Sequence, residues 1–128
     1  MSFEFGEVED AESAVLLTIG LPAQGVLIAQ DLVYNNVHLW LVGQHLDEWA
    51  VAIERYKQLR YDIILPGHGA PGGTELYDQV LDYLTAAEPI LKEASTGEEL
   101  KTRLIEHFPN YEGVALLDVQ KIYLFPAS

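Results

Sequence analysis

The sequence predicts an α/β domain, in which about four strands form a mixed sheet with helices beside it, followed by a helical extension. Three observations carry this. Apolar runs of strand length recur early in the chain, as "AVLLTI" (Ala14 to Ile19), "GVLIAQ" (Gly25 to Gln30) and Tyr61 to Leu65. A helical pattern lies between the last two, so the chain reads strand, loop, helix, strand. That order makes a right-handed crossover if the two strands are parallel. From Thr74 onward the apolar residues fall at helical spacing.

Taken in order, Phe3 to Val8 alternates, with Phe3 and Phe5 on one side and Glu4 on the other, as a strand near a sheet edge does. The acidic "EVEDAES" is a turn. "GLPAQG" joins the next two runs as a hairpin loop marked by Gly20, Pro22 and Gly25. Those runs do not alternate, and strands apolar on both sides call for cover on both faces. Asp31 ends the third run, and "DLVYNNVHLWLVGQ" reads as a loop with apolar anchors. Leu46 before Asp47 reads as a hydrophobic staple and N-cap for a helix to about Arg60, with Leu46, Trp49, Ala50, Ile53 and Tyr56 on one face. Thr74 caps a helix with a stripe of Leu76, Val80, Leu84, Ala87 and Leu91, kinked or broken at Pro89. Thr96 and Glu99 form a capping box for a helix to about His107, and "GVALLDVQKIYLF" favours helix over strand.

Composition narrows the function. The 128 residues fit a single domain, with 1–73 as the sheet region and 74–128 as the helical extension. Twenty acidic residues against seven Lys plus Arg give a net charge of -13, which repels phosphate backbones and argues against nucleic-acid binding. No apolar run reaches the roughly 18 residues of a membrane span, and "MSFEFGEVEDAES" is acidic where a signal peptide is basic, so a cytoplasmic protein is expected. Without cysteine, any metal must be held by His, Asp and Glu.

The chemistry-bearing stretch is "DIILPGHGAPGG", a buried strand running into a turn that holds His68 between Gly67 and Gly69. Asp31 stands 37 residues earlier at the end of another strand. If the strands are parallel neighbours, both side chains emerge at one sheet edge, as candidate ligands for zinc, iron or manganese. Two ligands are fewer than zinc ordinarily takes. His38 in the loop after Asp31 can approach such a site or pack beside Trp40. Tyr34 and Trp40 serve either as loop anchors or, with His38, as a small-molecule contact surface. His45 and His107 flank helix ends and read as structural; Glu98, Glu99 and Glu106 read as a solvated helix face.

"GVLIAQDLVYNNVHLWL", the helix with Trp49, and "YDIILPGHGAPGG" resemble the second half of metallo-β-lactamase-fold hydrolases, over roughly residues 14–73. The helical tail matches an extension found in some members. The resemblance implies half of a four-layer αββα sandwich, with Asp31 as the bridging metal ligand and His68 as a terminal one. It also implies hydrolysis of an ester, thioester, lactam or phosphoester by a metal-held hydroxide. The family's HxHxDH half has no counterpart here, so the expected chain is a truncated domain, not catalytic alone and without metal by itself.

Half a sandwich leaves the inner face of its sheet bare. Covering roughly 500 Å² of it contributes on the order of 10 kcal/mol before association costs. A homodimer through that face is the expected arrangement, with a separate N-terminal-half protein or the chain's own C-terminal helices as the other covers. The functions that follow are an oligomeric or binding module, a metal hydrolase completed in trans, or a small-molecule binding protein.

Overall fold

The computed structural model describes residues 2–13 and 15–126. Strands β1 (Glu4–Glu9), β2 (Val15–Leu21), β3 (Val26–Tyr34) and β4 (Ile63–His68) lie side by side in chain order. Helix α1 (Leu46–Lys57) links β3 to β4, and α2 (Glu75–Glu93), α3 (Gly97–His107) and α4 (Val114–Leu124) follow. Ala14, the expected first residue of the second strand, lies outside the described residues. The first three strands are antiparallel, and β3 and β4 are parallel, as a helical crossover requires. The hairpin between β2 and β3 turns through a short 3-10 segment that ends on Gly25 at φ 67, in the left-handed region. No helix among the described residues is long and apolar enough to cross a membrane.

The two faces of the sheet differ. On one, Val8, Leu16, Leu27, Ala29 and Ile64 are buried in a core shared with Trp49, Ile53 and Tyr56 of α1 and Leu76, Tyr77 and Val80 of α2. The phenols seal its margin: Tyr56 Oη lies 2.8 Å from Thr18 Oγ1, and Tyr61 donates to Glu4 at 2.7 Å. On the other face, register aligns Phe5, Ile19, Ile28 and Leu65 across all four strands, with Leu21, Val26 and Ile63 in the next row. Phe5 is 75% exposed and Leu17 52%. The sequence therefore reads correctly as apolar on both sides, but one side is open. Helix α3 packs on α2 and α4, so the C-terminal helices do not cover it.

Four local expectations are corrected. Helix α1 begins at Leu46 with His45 as its N-cap, and Asp47 sits in the first turn, where a carboxylate meets the positive end of the dipole without capping. Thr74 is the N-cap of α2 but makes no side-chain cap bond; Glu75 instead accepts from the Gly73 N–H. Pro89 does not break α2, because it lies on the exposed side, where the carbonyl of exposed Thr85 is left to water. The fourth strand starts at Ile63, and Tyr61 precedes it as a buried plug over Gly20, where a side chain would collide with the phenol. The capping box is present: Thr96 Oγ1 accepts from the Glu99 N–H at 3.1 Å, and Glu99 reaches back to the Ser95 N–H at 2.9 Å.

The segment from Asn36 to Leu41 is strapped to the helical extension. Val37 bridges Glu112, with backbone bonds from Glu112 N–H to Asn36 C=O and from His38 N–H to Glu112 C=O. The fully buried Gln120 of α4 accepts from the Leu41 N–H at 2.8 Å and donates to the Leu39 carbonyl at 3.0 Å. Replacing Gln120→Ala leaves both backbone groups buried without partners, so we expect a loss of roughly 2–4 kcal/mol in urea unfolding. A change under about 0.5 kcal/mol would show that water replaces the amide and that the strap is not held this way.

Candidate functional site

The strand β3 does not stop at Asp31. It runs to Tyr34, and its pairing with β4 slips twice: Ile28 faces Leu65, Gln30 faces Pro66, and Tyr34 faces His68. Pro66 has no N–H to give the ladder, and opposite it Gln30 takes φ 52, a left-handed value uncommon for a residue with a side chain. This bulge breaks the alternation of β3, so that Leu32, Val33 and Tyr34 are all buried in succession. The Leu32 carbonyl, inside the irregular stretch, accepts from the Trp49 indole at 2.9 Å.

The bulge aims Asp31 at β4. A Cβ at Gly67 would overlap the Asp31 carboxylate, so the glycine opens the path over the strand. His68 Nε2 then lies 3.4 Å from Asp31 Oδ1, both side chains about two-fifths exposed. Gly69 at φ 95 turns the chain away directly after. The imidazole stacks on Tyr34 at 4.8 Å and 28°. Asn35 holds the loop: its N–H donates to the His68 carbonyl at 2.9 Å and its amide to Ala70 at 2.8 Å, while Gln79 of α2 accepts from the Asn36 N–H at 2.6 Å. Asp31 and His68, separated by 37 residues of sequence, are thus brought together.

Glu12, read in the sequence only as part of an acidic turn, is half-buried and feels the charges of this pair. Its carboxyl is pushed up, first by burial and then by the charge of Asp31, with the Ser13 hydroxyl and His68 drawing it back. The same charges reach Tyr34, whose phenol is raised by burial, then by Glu12 and Asp31. The only signal in the sequence was a carboxylate in the turn before β2, which by itself says nothing of distance.

Tyr34 and His38 are buried, and Trp40 is half-buried against the core. The His38 side chain is covered: its Nδ1 pairs with the Tyr83 hydroxyl at 2.9 Å, its ring meets Tyr83 and Tyr111 at 5.8 Å each, and Nε2 has no partner among the described residues. Trp40 packs edge-on against Tyr123 at 6.1 Å. His45 lies 3.9 Å from Asp10 and His107 tilts against Phe108, both at helix ends.

Asp31 and His68 supply two donors of the kind a zinc, iron or manganese ion accepts. Among the described residues no three His, Asp or Glu side chains converge to hold a metal ion. The residues present therefore do not make a metal centre by themselves.

Burial lowers the His38 pKa below the ordinary imidazole value. The folded state favours neutral His38, so its contribution is complete above about pH 6.5 and is lost as pH falls toward the depressed value. We expect the melting temperature to fall between pH 7.5 and 5 and the fall to shrink in His38→Phe; equal slopes in the two proteins would remove His38 as its cause.

No family model matches the sequence, and no curated protein does. Solved structures do. A metallo-β-lactamase from Pontibacter korlensis aligns over 65% of this chain and 42% of its own, at 22% identity and TM-score 0.56. The metallo-β-lactamase FIM-1 from Pseudomonas aeruginosa, in a mono-zinc form, aligns over 66% and 40%, at 21% identity and TM-score 0.57. A β-lactamase domain protein from Burkholderia ambifaria aligns over 95% and 42%, at 20% identity and TM-score 0.59. A match over 95% of the chain has to include most of the helical extension, which the matches at 65–66% need not. The chain spans about two-fifths of each of these structures, and its sheet with helices on one face is one half of their αββα sandwich: it has the metallo-β-lactamase fold over that portion.

Proposed function

We propose that this chain is a metallo-β-lactamase-fold module that is not catalytic by itself and acts by assembly, its open sheet face packing on a second β layer. The observation supporting this is the apolar row of Phe5, Ile19, Ile28 and Leu65, flanked by exposed Val15, Leu17 and Ile63. Contiguous apolar surface of this kind on a sheet marks an interface. A second copy related by a two-fold axis supplies a matching apolar sheet. Light scattering is then expected to give twice 14.3 kDa, and Leu17→Lys with Ile28→Lys to return the mass to one chain with the fold retained. A wild-type protein that stays at 14.3 kDa across its whole soluble range would sink the homodimer.

A second reading follows from the geometry of Asp31 and His68, which meet at the C-terminal ends of adjacent parallel strands, where α/β proteins place their sites. In it, a chain carrying HxHxDH covers the same face, adds the missing donors for zinc, iron or manganese, and completes a hydrolase. Elemental analysis distinguishes the two. Metal that appears only after the partner half is mixed in, and is lost in His68→Ala, supports completion in trans; no metal in the mixed complex rejects it.

A further inference from the structure

The sheet ends at β1, and nothing among the described residues pairs with its outer edge. That edge opens into a groove of about 570 Å³ lined by Glu7, Val8, Glu9, Asp47, Glu48, Val51, Ala52 and Arg55. Side chains of consecutive strand residues point to opposite faces, so a groove touched by Glu7, Val8 and Glu9 together is walled by the strand's edge. Its other wall is the first half of α1. The floor is apolar, from Val8, Ala52 and Val51, and Val51 is 69% exposed on a helix that otherwise buries its apolar side. Around this floor stand four carboxylates and a single cation, Arg55, whose guanidinium lies over the ring of Tyr56 at 5.4 Å.

We infer that this groove receives an extended, lysine- or arginine-rich segment of another protein, added to β1 as a fifth strand. Unpaired backbone groups on an edge strand give such a segment its main-chain bonds, and pockets for alternate side chains give it selectivity. Apolar side chains of the incoming strand sit on Val8 and Val51 on the helix-covered side, the alternate, cationic ones meet Glu7 and Glu9 on the opposite side, and Asp47 and Glu48 add attraction at longer range. The charges also say what the occupant is not. Edge-to-edge pairing of two copies would set Glu7 and Glu9 of one against Glu7 and Glu9 of the other, and like charges directly opposite are destabilising. None of the four strands contains Lys or Arg, so no strand of this chain is a complementary partner.

The test uses the whole chain and three labelled heptapeptides: alternating Lys-Val, alternating Glu-Val, and the Lys-Val peptide N-methylated at every second residue. Fluorescence anisotropy is expected to show saturable binding of the Lys-Val peptide, with affinity at least tenfold weaker for the N-methylated form and none for the Glu-Val form. Amide exchange at alternate residues of β1 should slow in the complex. Glu7→Lys with Glu9→Lys, and separately Val51→Lys on the exposed helix surface, should each weaken binding at least tenfold with unchanged circular dichroism. Binding that ignores N-methylation and leaves β1 exchange unaltered would be plain charge attraction and would overturn the inference. So would retention of full affinity by both variants, or absence of binding by the Lys-Val peptide.

Discussion

Everything at the C-terminal end of this sheet depends on β3 changing its pattern at Gln30. Up to Ile28 the strand alternates between the two faces, one residue for one with both neighbours. Past it, Pro66 cannot donate to the ladder, Gln30 turns through the left-handed region, and four residues of β3 pass two of β4. One displacement does several things. It points Asp31 across Gly67 toward His68, and it buries three successive apolar residues where an unbroken strand would bury every other one. It also presents the Leu32 carbonyl to the Trp49 indole, so the crossover helix is fixed to the irregular stretch itself. The left-handed residue costs of order 1 kcal/mol and is offset by this burial and bonding.

The helical extension is tied to the same point. Directly after β3, Asn35 and Asn36 bond to the His68 loop and to Gln79 of α2, and the segment after them bridges Glu112 and inserts between α2 and α4. His38 and Gln120 are buried polar groups at that seam, each holding a backbone or hydroxyl partner. Such groups make the seam specific, since an apolar repacking would leave the Leu39 carbonyl and the Leu41 N–H unpaired. The sheet and its extension therefore fold as one body, in which the position of His68 and the docking of α4 are linked through only a few residues of backbone.

The elements were legible where a local rule determines them. The period of apolar residues marked α1 to α4, Gly25 marked its turn, and Thr96 with Glu99 marked the start of α3. The pairing of Asp31 with His68 was legible from strand ends separated by one crossover. What was not legible depends on contacts between distant segments. The bulge arises from Pro66 facing Gln30, 36 residues apart, and neither alone announces it. His38 reads in the sequence as approaching the site or packing beside Trp40, but the rings it packs against, Tyr83 and Tyr111, come from 45 and 73 residues away. Glu12 reads only as part of an acidic turn, which does not announce its half-burial. Pro89 misled through a rule applied without knowing which side of the helix faced water.

The two unpartnered surfaces answer differently to charge, which sets how they can be used. The open face is apolar along its central rows, with Glu7 and Glu9 at one corner, so its driving force is burial. Two chains of net charge -13 repel while apart, and added salt screens that repulsion within about 10 Å without weakening the contact itself. The groove beside β1 works the other way: its carboxylates draw a cationic strand at long range, and salt removes that attraction. Raising ionic strength therefore favours layer on layer over strand on edge. A chain this acidic can keep its apolar face soluble at low salt by mutual repulsion while its edge remains available to a basic partner.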